Sequence, residues 1–225
     1  MSADQKQFGQ INKEIIQYAY ETFRPEDPVL QEARAIAERR GLPAISLGAF
    51  DALHLEVIVR AMGAKKGVEI GTLGGYSGVA LARGMGAGGK LHTFELDLHH
   101  AEVARQVFDQ AQLMTEVSVH VGPALENLPT IASEAPFDFV FIDADKINYP
   151  VYLDWATDHL RVGGLVIADN TFGFGKIHQS FHLSEEERPA VMGLREFNSR
   201  VANSNRFRAT ILPTGEGLTI AVKIS

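Results

Sequence analysis

The chain has no cysteine among its 225 residues. That removes disulfides, thiolate metal sites and thiol nucleophiles together, and it fits a cytoplasmic protein. Long apolar runs are also missing. The longest, around 137–142, is far short of the roughly 20 residues that span a bilayer, so no membrane partner is expected. The opening MSADQKQFGQ lacks the basic-then-apolar-then-small order of a signal peptide. Positive charge is scarce: 21 Lys and Arg against 28 Asp and Glu leave a net charge of −7. There is no general pull towards phosphate backbones, and nucleic acid is not an expected ligand. No repeat, low-complexity stretch or linker divides the chain. One domain over 1–225 is expected, with a helical extension at 1–50 and an α/β core at 51–225. The excess is glycine, with ten of the 21 lying between Gly63 and Gly89.

In the first fifty residues Phe8, Ile11, Ile15, Ile16, Ala19 and Phe23 recur at helical spacing and form one apolar face. This face packs either on the protein's own sheet or on a second copy. A second helix is punctuated by Asp27 as N-cap, Pro28 at its first position and Gly41 just past its end. A third is predicted near 50–62, with Leu53, Val57 and Ile58 inward. Beyond it, short apolar runs at 67–70, 90–94, 117–121, 137–142 and 164–168 alternate with helical periods at 76–85, 101–113, 124–132 and 149–160. Alternation of this kind predicts βαβ crossovers and a mainly parallel sheet covered on both faces. At the end, 206–212 and 218–224 alternate strongly around Pro213-Thr214-Gly215-Glu216-Gly217 and predict an antiparallel hairpin.

The turn after the first strand reads Glu69-Ile70-Gly71-Thr72-Leu73-Gly74-Gly75-Tyr76-Ser77. Glycine there allows a tight turn and close approach of backbone to ligand. It is not the dinucleotide fingerprint, because Leu73 and Tyr76 occupy its second and third glycine positions. Glu69, just before the turn, repels a pyrophosphate and attracts a cation. Glu95, at the end of the second strand, is placed to accept hydrogen bonds from a ribose diol. A glycine turn alone also fits a plain surface turn; with Glu95 in register, a positively charged nucleoside is the better fit.

Two further strand ends carry hard oxygen ligands. Phe139-Val140-Phe141-Ile142 runs into Asp143-Ala144-Asp145-Lys146, and Leu165-Val166-Ile167-Ala168 runs into Asp169-Asn170. Each motif alone fits a helix or loop cap. Together they place Asp143, Asp169 and Asn170 at the carboxyl edge of neighbouring strands, an oxygen set suited to Mg²⁺, Ca²⁺ or Mn²⁺. Lys146 reads either as a helix-start lysine paired with Asp145 or as a base for an acceptor hydroxyl.

As a set, Glu69-x-Gly71-Thr72-x-x-Gly75-Tyr76-Ser77, Gly122-Pro123-Ala124, Phe139 to Asp143-Ala144-Asp145-Lys146-x-Asn148-Tyr149, and Gly163-Gly164-x-x-x-x-Asp169-Asn170-Thr171 resemble the cation-dependent O-methyltransferases. That family includes caffeoyl-CoA O-methyltransferase and, more distantly, catechol O-methyltransferase. The likeness runs from about Leu30 to the C-terminus. It implies a Rossmann-like class I methyltransferase with a seven-stranded sheet that binds S-adenosylmethionine at the strands' carboxyl ends. By matching position, Glu69, Gly71 and Ser77, with Thr72 in the same turn and backbone from Leu47, surround the methionine half. Glu95 holds the ribose, and Ala124 meets the adenine side. Asp143, Asp169 and Asn170 fall on the metal ligands, with Asp143 also beside the donor and counted with Lys146, the catalytic lysine, in the chemistry. The resemblance further implies a small hydroxylated aromatic acceptor and a homodimer.

The chain departs from the plant members where the acceptor pocket is shaped. It reads Ile45-Ser46-Leu47 where they carry Met and Thr, and Phe172-Gly173-Phe174-Gly175-Lys176 where they continue with Leu-Trp. The segment 176–188 has no counterpart, so an acyl-CoA acceptor is not implied. Competing readings are a nucleotide-cofactor oxidoreductase and a non-catalytic nucleoside-binding protein; the missing fingerprint counts against the first and the complete ligand set against the second. His178 and His182 lie four apart but lack a third ligand and read as surface loop. His99-His100 reads as an exposed helix start, and Trp155 as core.

Overall fold

The computed structural model describes residues 12–178 and 183–225. Phe8, Ile11 and His182 lie outside the described residues. Strands β1 (Lys66–Ile70), β2 (Lys90–Glu95), β3 (Glu116–Val121), β4 (Phe137–Ile142) and β5 (Leu160–Ala168) pair in parallel. β6 (Phe207–Leu212) and β7 (Leu218–Lys223) form the antiparallel hairpin, with β7 antiparallel on β5. The sheet has seven strands in the order β3-β2-β1-β4-β5-β7-β6. Its direction of growth reverses between β1 and β4, the switch point beyond whose carboxyl ends open α/β sheets bind ligands. The Rossmann-like, mostly parallel architecture matches the expectation.

Alternation along β4 explains how the sheet holds both layers. Phe139 and Phe141 enter the core formed with α2 (Pro28–Arg39), α3 (Ala49–Ala61), α4 (Tyr76–Met85) and α5 (Leu98–Gln110). Val140 and Ile142 enter the opposite core, formed with α7 (Tyr149–His159) and α8 (Glu187–Ala202). All four side chains are fully buried, each contributing about 1.5–3 kcal/mol, so the end of β4 is a rigid platform. Gly67 on β1 leaves room for the Phe139 ring, which a Cβ would meet at 2.2 Å.

Several local expectations change. On α3 the buried positions are Ala49, Asp51, Ala52, Leu55 and Val59, whereas Leu53 and Ile58 are half-buried and Val57 is exposed. The segment is apolar on more than one side, so periodicity did not single out the buried stripe. The helix expected over 124–132 is one α-turn, α6 (Ala124–Asn127), followed by a 3-10 segment, Leu128–Glu134. Pro129 has no N–H to continue the α ladder. α5 begins earlier than predicted because Asp97 caps it, accepting from His99 N–H at 2.7 Å and His100 N–H at 3.1 Å. Helix α8 was not anticipated, although Val191, Leu194, Phe197 and Val201 lie buried along one face. Helix α1 (Lys13–Phe23) buries no residue. Ile15, Ile16 and Phe23 are exposed, and Tyr20 meets Phe50 edge-on at 4.9 Å. Among the described residues, its apolar face is therefore not packed on the protein's own sheet.

Candidate active site

The ladder continues one residue past the strands that carry the site. Gly71 N–H donates to Phe94 O at 3.0 Å, Asp143 N–H to Ile70 O at 2.8 Å, and Asp169 N–H to Ile142 O at 3.0 Å. Because Ile142 pairs with Ala168 across β4 and β5, Asp143 and Asp169 follow directly on neighbouring strands, as their spacing predicted. Gly71 has φ +99°, and a Cβ there would sit 2.0 Å from Asp143 O. Only glycine lets the turn close against the carboxylate strand end.

At that corner Lys146 Nζ donates to Asp143 Oδ1 at 2.8 Å and to the Tyr149 hydroxyl oxygen at 2.9 Å. The Tyr149 hydroxyl is within 3.2 Å of Ile142 O and 3.3 Å of Asp169 O, and can donate to either. One buried phenol thus joins the lysine to both strand ends. Burial, reinforced by Asp143, Asp169 and Asp145, pushes the Tyr149 pKa well above its ordinary value, so it stays a neutral donor. Gly193 lets α8 pass close over the Lys146 turn; a Cβ there would lie 2.3 Å from Lys146 O.

Asp169 is 4% exposed, and its Oδ1 is buried without a hydrogen-bond partner. Burial and the Asp143 charge push its pKa up to about 7, with a smaller contribution from Asp51, despite the Asn170 N–H and Lys146. Asn170 holds a left-handed backbone, φ +56°, at the cavity wall. A buried carboxylate with an open lone pair, a neighbouring carboxylate and an adjacent amide oxygen fit a hard divalent cation. Among the described residues no group of three carboxylate or imidazole ligands converges on a metal position; the amide is what would make this set three.

The glycine turn is wired differently. Glu69 is fully buried, its carboxylate accepting from the Ser77 hydroxyl at 2.6 Å and the Thr93 hydroxyl at 2.6 Å. Burial pushes its pKa up to about 7, with Ser77 and Thr93 opposing and Asp143 and Glu95 adding to the rise. Thr72 shares a short hydroxyl contact with Thr93. Glu95 accepts from Thr72 N–H at 3.2 Å, Leu73 N–H at 2.7 Å and Asp97 N–H at 3.0 Å. A carboxylate has about four acceptor positions, so Glu95 braces the turn with capacity left over.

These elements enclose a cavity of about 860 Å³, the size of a cofactor or drug-like ligand site. Leu47, Gly71, Thr72, Ser77, Glu95, Ala124, Asp143, Lys146 and Asn170 line it. Glu69 and Asp169 are not in the lining; they stand behind it, Glu69 beneath Ser77 and Asp169 beside the Asp143 strand end. Sequence reasoning missed Tyr149 and Tyr76 as site residues, and treated His100 as exposed. His100 is half-buried, lines the cavity and lies 3.5 Å from Glu95 Oε1. Asp51 was missed as well, although a carboxylate in an apolar helix is a readable signal. Trp155 is half-buried against Phe137 and His159, in line with its core assignment.

A family profile described as O-methyltransferase matches residues 20–224. The chain belongs to this O-methyltransferase family. The methyltransferase is 37% identical to a catechol O-methyltransferase of Niastella koreensis, over 91% of each chain. It is 43% identical to a catechol O-methyltransferase of Mycobacterium tuberculosis, over 69% of this chain and 70% of that one. An O-methyltransferase of Bacillus cereus, solved in complex with S-adenosylhomocysteine, superposes with a TM-score of 0.85 at 36% identity, covering 93% of this chain and 97% of the other. As a family member, this chain is an S-adenosylmethionine-dependent O-methyltransferase, which replaces the hydride-transfer and non-catalytic readings.

Proposed function

We propose that the methyltransferase transfers a methyl group from S-adenosylmethionine to one hydroxyl of a catechol-like, vicinal dihydroxy aromatic small molecule. Asp143, Asp169 and Asn170 hold a divalent cation, with Mg²⁺ foremost and Ca²⁺ or Mn²⁺ as alternatives. The observation that carries this reading is the buried, unpartnered Asp169 Oδ1 beside Asp143, just behind the cavity wall that Asp143 and Lys146 line. Relatives named catechol O-methyltransferase support the acceptor class. So do Ile45 and Phe174, exposed apolar side chains at the cavity wall.

When bound, the cation acidifies and orients a vicinal diol, and S-adenosylmethionine supplies the electrophilic methyl. A free phenol has a pKa near 10, so a proton acceptor is required. Lys146, as the neutral amine, receives the acceptor's proton at Nζ, held in place by Asp143 and Tyr149. Asp143, which also accepts from Lys146, presents its carboxylate at the cavity wall where the cationic donor binds. Leu47 and the Gly71–Thr72 turn offer backbone to the methionine half with Ser77 beside it, while Glu69 acts from below through Ser77. Glu95 holds the ribose and Ala124 packs on the adenine side. Transfer joins an anionic oxygen to a cationic methyl donor, so charge disappears and the residues act mainly by placement.

The chain works as one methyltransferase domain in the cytoplasm, a location supported by the absence of cysteine. Among the described residues no helix is long and apolar enough to cross a membrane. The exposed apolar side of α1 supports a homodimer; nucleic acid and membrane are not partners. The test is methyl transfer from S-adenosylmethionine to a panel of catechol, caffeoyl-CoA and flavonoid acceptors. EDTA is expected to abolish turnover and Mg²⁺ to restore it. Full activity in chelator overturns the metal role.

A further inference from the structure

The wall segment 43–48, between α2 and α3, contains no helix or strand, yet it contributes Ile45, Ser46 and Leu47 to the cavity. Its internal backbone bonding is a single turn contact, Ile45 N–H to Pro43 O at 2.9 Å. Something outside it must set its position, and Arg34 on α2 reaches it. Arg34 Nη2 donates to Leu47 O at 2.7 Å, and its Nε donates to Glu26. The guanidinium carbon lies 4.0 Å from the centre of the Tyr76 ring. The Tyr76 hydroxyl donates to the same Glu26 oxygen at 2.6 Å. Tyr76 opens α4 directly after Gly75, and it too lines the cavity. Asp27, next to Glu26, is held to α4 by Arg83 at 3.0 Å. One planar cation therefore uses two edges and a face to join four separate pieces of chain.

We infer that Arg34, locked by Glu26 and Tyr76, is a positioning residue for the methyl donor: a latch that fixes the 43–48 segment over the cavity. The inference rests on the reading of this cavity as the S-adenosylmethionine site. The electrostatics suit a cationic ligand. An unpaired arginine behind the wall would repel a sulfonium and an ammonium group, and Glu26 neutralises it. Burial alone would raise the Glu26 pKa, but the Tyr76 and Arg34 bonds outweigh it and keep the carboxyl below its usual range, so the pair stays ionised. A carbonyl oxygen has two lone pairs; with one taken by Arg34, Leu47 O is oriented and still able to accept from the donor. Lysine carries one point charge and no planar face, so it cannot hold Glu26, Leu47 and Tyr76 together.

The experiment titrates the purified full-length protein with S-adenosylhomocysteine and measures turnover with catechol and Mg²⁺. Arg34→Ala is expected to weaken binding about tenfold, the scale of one charge-assisted bond, and to raise KM for the donor while kcat at saturation stays within about twofold. Hydrogen exchange across 43–48 is expected to quicken. Arg34→Lys is expected not to restore affinity. Arg39→Ala removes a pair with Glu32 on the same helix whose side chains are both half exposed or more, and it should leave affinity unchanged. Wild-type affinity in Arg34→Ala, full rescue by Arg34→Lys, or an equal loss in Arg39→Ala overturns the latch. If Arg34→Ala does not fold, Tyr76→Phe keeps the ring and deletes its bond to Glu26; a severalfold loss supports the latch and unchanged affinity overturns it. Failure of the wild-type protein to bind S-adenosylhomocysteine at all strikes the donor reading instead.

Discussion

At the β1 side of the cavity Glu69 is fully enclosed, with both oxygens accepting from the hydroxyls of Ser77 and Thr93. At the β5 side Asp169 is nearly as enclosed, yet its Oδ1 meets no donor. Burial pushes both carboxyls up to about 7. Equal pKa values therefore conceal opposite situations. Glu69 is answered by its own chain, which makes it part of the scaffold that shapes the turn. Asp169 carries a desolvation cost that the Asn170 N–H and Lys146 only partly offset, and a buried acceptor left open points to a ligand from outside.

Substituting the two carboxylates is the sharpest way to break this contrast. Asp169→Asn is expected to lower kcat/KM with Mg²⁺ by on the order of 10³-fold, the scale of losing a charge-stabilising group, and to leave the metal-free Tm unchanged or raised. Glu69→Gln is expected to do the reverse. It should lose about 1–3 kcal/mol of stability from a disrupted buried network and retain most turnover at saturating donor. Kinetics and thermal melts on both variants decide it. An Asp169→Asn protein that is active but thermally weakened removes the distinction.

Lys146 lies between these cases, because its amino group is answered by both Asp143 and Tyr149. If it takes the acceptor's proton, Lys146→Met should cost about 10²-fold in kcat with unchanged affinity for S-adenosylhomocysteine. A matching loss of donor affinity would instead make it a support for Asp143, the role Glu69 plays for Ser77.

The same contrast explains what could be read from sequence. Asp143, Asp169 and Asn170 stood out because each follows an apolar strand, and parallel strands bring such ends to one edge. Gly71 was legible for its position in the turn, and Asp27, Pro28 and Gly41 as local helix punctuation. What stayed hidden depends on contacts distant in sequence. Nothing near Arg34 announces Leu47 or Tyr76, and nothing near Gly193 announces the Lys146 turn it accommodates. Whether Glu69 faces a ligand or stands behind Ser77 also depends on packing. The buried stripe of α3 was misread for a related reason: with apolar residues on several sides, the choice among them is made by tertiary contacts.

The smallest effect is expected where a buried titratable group is answered within the chain and lies off the carboxylate corner. His92 and His120 share a hydrogen bond of 2.9 Å across β2 and β3, with His92 3.3 Å from Glu134. Burial lowers both imidazole pKa values. Glu134 and, for His92, Glu116 oppose the shift, while Lys90 adds to it; His92 adds to that of His120. Because the folded pKa values lie below the unfolded value near 6.5, the unfolded chain takes up protons first as pH falls. The stability these groups contribute is present above about 6.5 and is lost as pH drops through their folded pKa values. Melting from pH 7.5 to 5.5 should reveal this as a decline that His120→Gln reduces by roughly 2 °C, with kcat at pH 7.5 unchanged. A His120→Gln protein with the wild-type melting profile, or with lost turnover, would place the pair with Asp169 rather than with Glu69.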